Sequence, residues 1–193
     1  MSKKEIETFY PKSQDEWRNW LEQNHVTKQS IWVIFYKTAT KIPSMSWSDA
    51  VDEALCFGWI DSTKKTIDDK SYMQYFSKRK PTSNWSKVNK EKVEQLTKNG
   101  KMTQAGVDSI ETAKQNGSWT LLDDVEALIV PKDLEEALRK HEAALDHFDA
   151  FSKSTKKILL YWVISAKRPE TRQKRILEIA QNAKEKLTPK QFR

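Results

Sequence analysis

Ser30-Ile31-Trp32-Val33-Ile34-Phe35-Tyr36-Lys37 is apolar on both alternating faces and rich in β-branched and aromatic residues. That pattern predicts a central strand covered on both sides. Its neighbours supply the rest of a lobe. Upstream, Ser13-Gln14-Asp15-Glu16 has the form of a capping box, with Trp17, Trp20 and Leu21 as the apolar stripe of a helix ending near Asn24-His25. Downstream, Ser46-Trp47-Ser48-Asp49 opens a second helix that turns Val51, Ala54 and Leu55 inward and stops at Gly58. Two further strands, Trp59–Thr63 and Tyr72–Phe76, form a hairpin whose turn falls on Asp68-Asp69-Lys70. Three antiparallel strands with helices on them make an α+β lobe.

From Ser83 onward the period changes from two to 3.6. Trp85, Val88, Lys92 and Leu96 share one helical face, and Asn99-Gly100 ends that helix. Thr103 caps another carrying Val107 and Ile110 and ending at Gly117. Pro131 suits the first turn of a helix bearing Leu134, Ala137 and Leu138. Ile158, Leu159, Trp162 and Val163 predict a buried helix stopped by Pro169, and Ile176, Ile179, Ala180, Ala183 and Leu187 a last amphipathic one. The expected organisation is an α+β lobe over residues 1–82 and an all-helical lobe over residues 83–193. Trp32, Trp59 and Trp162 are expected inside, and Arg79 and Lys80 in solvent.

Eight tryptophans argue for a packed core and against disorder. Four glycines leave no material for a Gly-rich phosphate cradle, and no cofactor is expected. No stretch approaches the length of a membrane span. Met1-Ser2-Lys3-Lys4-Glu5 has no apolar run behind its lysines, and one cysteine permits no internal disulfide. These features predict a cytoplasmic protein.

Charge is distributed in blocks. Residues 64–92 hold nine Lys/Arg against three acids, residues 123–149 three against nine, and residues 153–193 twelve against three. Such blocks steer an anionic partner or neutralise one another within the fold.

The chemistry-bearing candidates each have a plain structural alternative. Cys56, between Leu55 and Phe57, reads as a small core residue rather than a nucleophile. His25 follows a helix end, and His141 and His147 stand six apart, off metal-ligand spacing, so no metal is expected. Asp61 is the one candidate for acid–base work, and it equally suits an ion pair with Arg79 or a lysine across the sheet. Lys78, Arg79 and Lys80 followed by Trp85 and Asn89 combine cations, an aromatic face and an amide, as a nucleotide or exposed base would require. Alternatively they are a solvated strand end with Trp85 packed inside. Arg168 and Arg172 flank a helix N-terminus and would clamp a phosphate or pair with the acidic block.

Four stretches in order carry a family resemblance: Glu16–His25, Glu53–Asp61, Phe76–Asn89 and Ala166–Arg172. Together they resemble the bacterial YdeI/OmpD-associated proteins, a family labelled for bacteriocin protection. The resemblance implies a protective or stress-related role and a short helical C-terminal domain. It also implies an N-terminal portion similar to the YjbR/CyaY-like α/β sandwich. It brings no catalytic residues with it, so whether a reaction occurs is left open. The leading expectation is binding of an anionic small molecule or nucleic acid in a cleft between lobes, walled by Arg79, Lys80, Trp85 and Asn89 on one side and Arg168 and Arg172 on the other. A small-molecule enzyme using Asp61 and a protein-interaction module are the alternatives.

Overall fold

The computed structural model describes residues 7–193; the Met1–Glu5 segment, read above as no signal peptide, lies outside the described residues. The chain is α+β and divides into two compact units, Met1–Thr120 and Leu121–Arg193.

In the first unit the elements run β1 (Thr8–Phe9), α1 (Gln14–Asn24), β2 (Ser30–Tyr36), α2 (Trp47–Cys56), β3 (Trp59–Thr66), β4 (Ser71–Lys78), α3 (Lys87–Lys98) and α4 (Gln104–Gln115). The four strands are ordered β1-β2-β4-β3, with β1 parallel to β2 and the other pairs antiparallel. β1 was not foreseen: two residues are too short to show a period. Both early helices begin as expected. Ser13 Oγ accepts from the Glu16 amide at 3.3 Å and Ser46 Oγ from the Asp49 amide at 3.1 Å. In the hairpin turn, Asp68 Oδ1 accepts from the amides of Lys70 and Ser71 and from the Ser71 hydroxyl, which together hold its carboxyl below the usual range.

Burial along β2 alternates, with Ile31, Val33 and Phe35 inside. The expectation of cover on both faces is therefore corrected. Trp32, Ile34 and Tyr36 are half-buried on the opposite face, and Trp32 belongs to neither hydrophobic core. The inner face receives α1 and α2 through Trp17, Leu21, Ala54 and Leu55, joined by Trp59 and Phe76 from the hairpin. Every described strand precedes Arg79, as the change of period requires.

The compact units do not divide where strands give way to helices. α3 and α4 belong to the first unit, and Trp85, Val93, Leu96, Ile110 and Ala113 complete its core. The expected stripe on α3 is corrected: Trp85 precedes the helix, Val88 is 58 % exposed, and Val93 replaces it on the buried side. α4 is seated closely. Its cap residue Thr103 donates both its amide (3.1 Å) and its hydroxyl (2.7 Å) to the Cys56 carbonyl at the end of α2.

The second unit comprises α5 (Asp123–Glu126), α6 (Lys132–Arg139), α7 (Ala144–Asp149), α8 (Lys153–Ile164) and α9 (Pro169–Lys184) around Leu134, Leu138, Phe148, Leu159, Leu160, Val163, Ile176 and Ile179. Leu160 takes the inward place assigned to Ile158, which is exposed, and Leu187 lies beyond α9 in solvent. Trp162 is half-buried, edge-on to Phe192 at 5.3 Å, rather than enclosed. The short α5 and α7 lack the length at which a helical period becomes visible. No described helix is long and apolar enough to cross a membrane.

The α2–α4 contact yields a first prediction. A Cβ on Gly106 would fall 2.3 Å from the Cys56 carbonyl oxygen and 2.8 Å from its carbon, both backbone atoms that cannot swing away. Gly106→Ala should therefore cost about 3 kcal/mol through overpacking. The loss should appear as a lower urea midpoint with an unchanged slope. An unchanged midpoint would show that this contact does not hold α4.

Candidate functional site

β4 ends by passing its chain between two others. The Lys78 amide donates to the Gln29 carbonyl (3.0 Å) and the Arg79 amide to the Gly58 carbonyl (2.9 Å). Beyond Arg79 the chain turns at Pro81, and that turn is tied to the end of α4: Asn116 Nδ2 (2.8 Å) and Ser118 Oγ (3.2 Å) both donate to the Pro81 carbonyl. The turn returns Trp85 beneath Arg79, with the guanidinium carbon 3.7 Å from the ring centroid. Trp85 is buried and rests in turn on Trp119, centroids 4.9 Å apart.

Arg79 Nη1 donates to the Asn84 carbonyl at 2.8 Å. Its Nε and Nη2 are shut off from solvent without a hydrogen-bond partner, and so is Trp85 Nε1. Burial pulls the guanidinium down to about 10, against the opposing charge of Asp61. Buried donors are almost always paired in folded proteins, so three orphan donor nitrogens in one stacked pair require a reason.

Two cavities flank this point, and Lys78 and Arg79 line both. One, of about 310 Å³, is walled by His25, Phe57, Gly58 and Asp108 among others. The other, of about 770 Å³, lies at the end of the sheet's outer face. Ile60 and Tyr75, neighbours on the outer face of the sheet, form its floor, and Ser30, Ser62, Ser77, Ser83, Lys80 and Pro81 also line it. An anion with a planar part finds cations, hydroxyl donors and an aromatic surface together there.

Among the residues foreseen from sequence, the structure unites Arg79, Lys80 and Trp85 in new roles. Lys80 is exposed at the groove as expected. Arg79 does not simply reach solvent, since two of its three guanidinium nitrogens are enclosed. Trp85 offers no stacking face to a ligand, because Arg79 covers it and Trp119 backs it. Asn89 sits in the first turn of α3, half-buried, with its amide donating to the capping Ser86 hydroxyl. Arg168 and Arg172 lie in the second unit. Arg168 is the exposed cap residue of α9, and Arg172 makes a two-pronged pair with Asp133 at 2.7 and 2.9 Å. Lys157 likewise holds Glu126 at 2.5 Å, so the acidic block supplies partners inside its own unit.

Asp61 is neither paired with a cation in contact nor left free. Its Oδ2 accepts from Trp47 Nε1 (2.9 Å) and from the buried Gln74 Nε2 (2.8 Å), pinning the start of α2 to the sheet. Sequence reading placed Lys78 in the cation run but did not foresee its engagement, in which Nζ donates to the Val26 carbonyl at 2.6 Å. It also missed the buried Glu53, which is 2 % exposed and receives Arg18 (2.7 Å) and Gln14 (2.6 Å). An acid within the apolar run of α2 was its only signal. Cys56 is fully buried, and burial, with Glu53 adding to it, pushes the thiol up to about 11.

Family models match the chain in two places. A domain of unknown function (DUF8412) matches residues 9–109, just over half of the chain. The model described as Bacteriocin-protection, YdeI or OmpD-Associated matches residues 127–186. No curated protein and no solved structure matches. The chain belongs to the DUF8412 family, and its helical second unit carries the YdeI/OmpD-associated domain. Of the four stretches that suggested the latter family, only Ala166–Arg172 falls within that match; the other three fall in residues 9–109.

Two predictions follow from the titrating groups. With its thiol held near 11, Cys56 should react with a thiol reagent at about pH 8 at least ~100-fold more slowly in the native protein than in denaturant. Comparable rates would contradict its burial. The hydrogen bond from Arg172 lowers the Asp133 carboxyl, so the folded state binds that proton more weakly than the unfolded chain. The stabilisation is complete above an unfolded value of about 4 and fades as pH falls through the lower folded one. The difference in thermal midpoint between the wild type and Asp133→Asn should therefore shrink on acidification. A difference independent of pH would show that the pair contributes no charge-dependent stability.

Proposed function

We propose that this member of the family is a cytoplasmic binding protein whose first unit takes an anionic small molecule of nucleotide type in the groove beside Arg79. The observation that carries this reading is the Arg79–Trp85 stack. It holds a guanidinium between two cavities with two donor nitrogens lacking any acceptor. These nitrogens are enclosed in the free protein, so an anion meets them only as the groove opens around Arg79, and a phosphate or carboxylate is the partner a guanidinium accepts best. Lys80 and the groove hydroxyls add charge and donors, and Tyr75 with Ile60 offers a surface for a flat ring. Trp85 serves by fixing the guanidinium plane.

Binding is preferred to acid–base catalysis because the Asp61 carboxylate is occupied in tying Trp47 and Gln74 together. The second unit's family is described by bacteriocin protection, and ligand binding in the first would be the chemical arm of such a protective role. Arg172 is engaged by Asp133 within the second unit.

The test separates function from stability. An apolar chain of similar length at position 79 keeps the packing on Trp85 and removes the orphan donors. Arg79→Met should leave the thermal midpoint unchanged or raised. It should weaken binding of AMP, measured by calorimetry at low salt, about 10- to 100-fold. Equal AMP binding by both proteins, or none by the wild type, would overturn the reading.

A further inference from the structure

The outer face of the sheet does not end at the groove. Antiparallel register puts Trp32 directly opposite Tyr75 and Ile34 opposite Met73. The Trp32 and Tyr75 rings lie 5.1 Å apart. Lys65, paired with Met73 across the hairpin, places its ammonium 4.7 Å from the Trp32 ring centroid. A β-bulge between Asp61 and Lys64 shifts β3 by one residue, and this carries Lys65 onto the outer face. None of Trp32, Ile34, Met73 and Tyr75 belongs to, or packs on, either hydrophobic core.

Among the described strand residues, the charge on this face has one sign. β2 and β4 contain no acid, and the single acid of β3, Asp61, turns to the inner face and Gln74. Tyr75 belongs both to the aromatic pair and to the floor of the groove, so the two surfaces are continuous. From Ser77 to Met73 the face runs about 13 Å along β4, with Arg79 and Lys80 at one end and Lys65 at the other.

We propose that this face is a platform for single-stranded nucleic acid, with phosphates meeting Lys65, Lys80 and Arg79 and bases stacking on Tyr75 and, as the exposed Lys65 side chain swings from its ring to a phosphate, on Trp32. The inference rests on the ligand reading above and extends it from one nucleotide to a short strand. Cationic charge alone would favour any polyanion. Aromatic faces between the cations select the polyanion that carries flat rings. A four-stranded sheet with aromatics on its open face accommodates two or three bases, which matches the distance between the cations. A duplex keeps its bases stacked internally and gains only the charge term.

The test uses the full chain and a fluorescently labelled twelve-nucleotide DNA strand, read by polarisation at low salt, with AMP calorimetry in parallel. Wild type should bind the single strand more tightly than AMP and more tightly than a duplex of equal length. Trp32→Leu should weaken strand binding about 5- to 100-fold and leave AMP binding intact. Lys65→Glu, an exposed position that keeps the fold should Trp32→Leu fail to, should also weaken the strand alone. If AMP binds in an Arg79-dependent way while the strand gains nothing over it, the platform is overturned and the nucleotide reading survives. If neither binds, both fall. Duplex and single strand binding equally would reduce the interaction to charge and overturn the stacking role. A concentration-dependent dimer in sedimentation, abolished by Trp32→Leu, would reassign the face to a second copy of the chain.

Discussion

The Cys56 carbonyl is the point on which the geometry of the first unit depends. It accepts two hydrogen bonds from Thr103, and Gly106 approaches it more closely than any residue with a Cβ would allow. Glycine is generally weak within a helix, and here the loss is offset by backbone-to-backbone packing. The contact sets α4 against α2, and the end of α4 then holds the Pro81 turn and supplies Trp119. Trp119 backs Trp85, and Trp85 supports Arg79. A chain of four contacts thus leads from one carbonyl to the orientation of the guanidinium. Displacing α4 would leave the strands paired and the cations present, but the fork would lose its plane.

What could be read from sequence was whatever a short-range pattern encodes. Ser13 and Ser46 each accept the amide three residues on, and those hydroxyls are local signals of helix starts. The hairpin was equally legible, because Asp68 closes its own turn. Patterning failed where tertiary packing decides. Ser30–Tyr36 is apolar at almost every position, so sequence could not show that Trp32, Ile34 and Tyr36 would remain half-exposed. On α3, Val88 and Val93 are equally apolar, and only the packing of α3 against α2 and its neighbours selects Val93. The same limit explains the division of the chain: the period changes near Ser83, yet two helices beyond it pack back onto α2 and join the first unit's core.

The candidate site divides along the same line. Arg79, Lys80 and Trp85 were visible as a cluster because they are close in sequence. Their division of labour was not, since Trp119 arrives from more than thirty residues away. Arg168 and Arg172 resembled an anion clamp, yet Asp133 neutralises Arg172 with two hydrogen bonds. Charge counts showed that the acidic block 123–149 and the basic block 153–193 were complementary. Asp133 with Arg172 and Glu126 with Lys157 show that part of that complementarity is used to fold the second unit.

The first unit's basic block is spent differently. Where a buried charge serves stability alone, partners gather around it, as Arg18 and Gln14 do around Glu53. Arg79 has one carbonyl and one ring, and its remaining donors are idle although Asp61 lies on the neighbouring strand. That acid is held away by Trp47 and Gln74, which satisfy its oxygen and fix it to the inner side of the sheet. Had Asp61 closed on Arg79, the pair would have been quieter and more stable, and the guanidinium would have had nothing left to offer an anion. Keeping the acid engaged elsewhere leaves the fork unsatisfied in the free protein. Local instability of this kind is a common cost of a binding site. Stability in this unit therefore comes from Trp17, Trp59, Phe76 and their neighbours, which bury enough apolar surface to carry one unpaired cation.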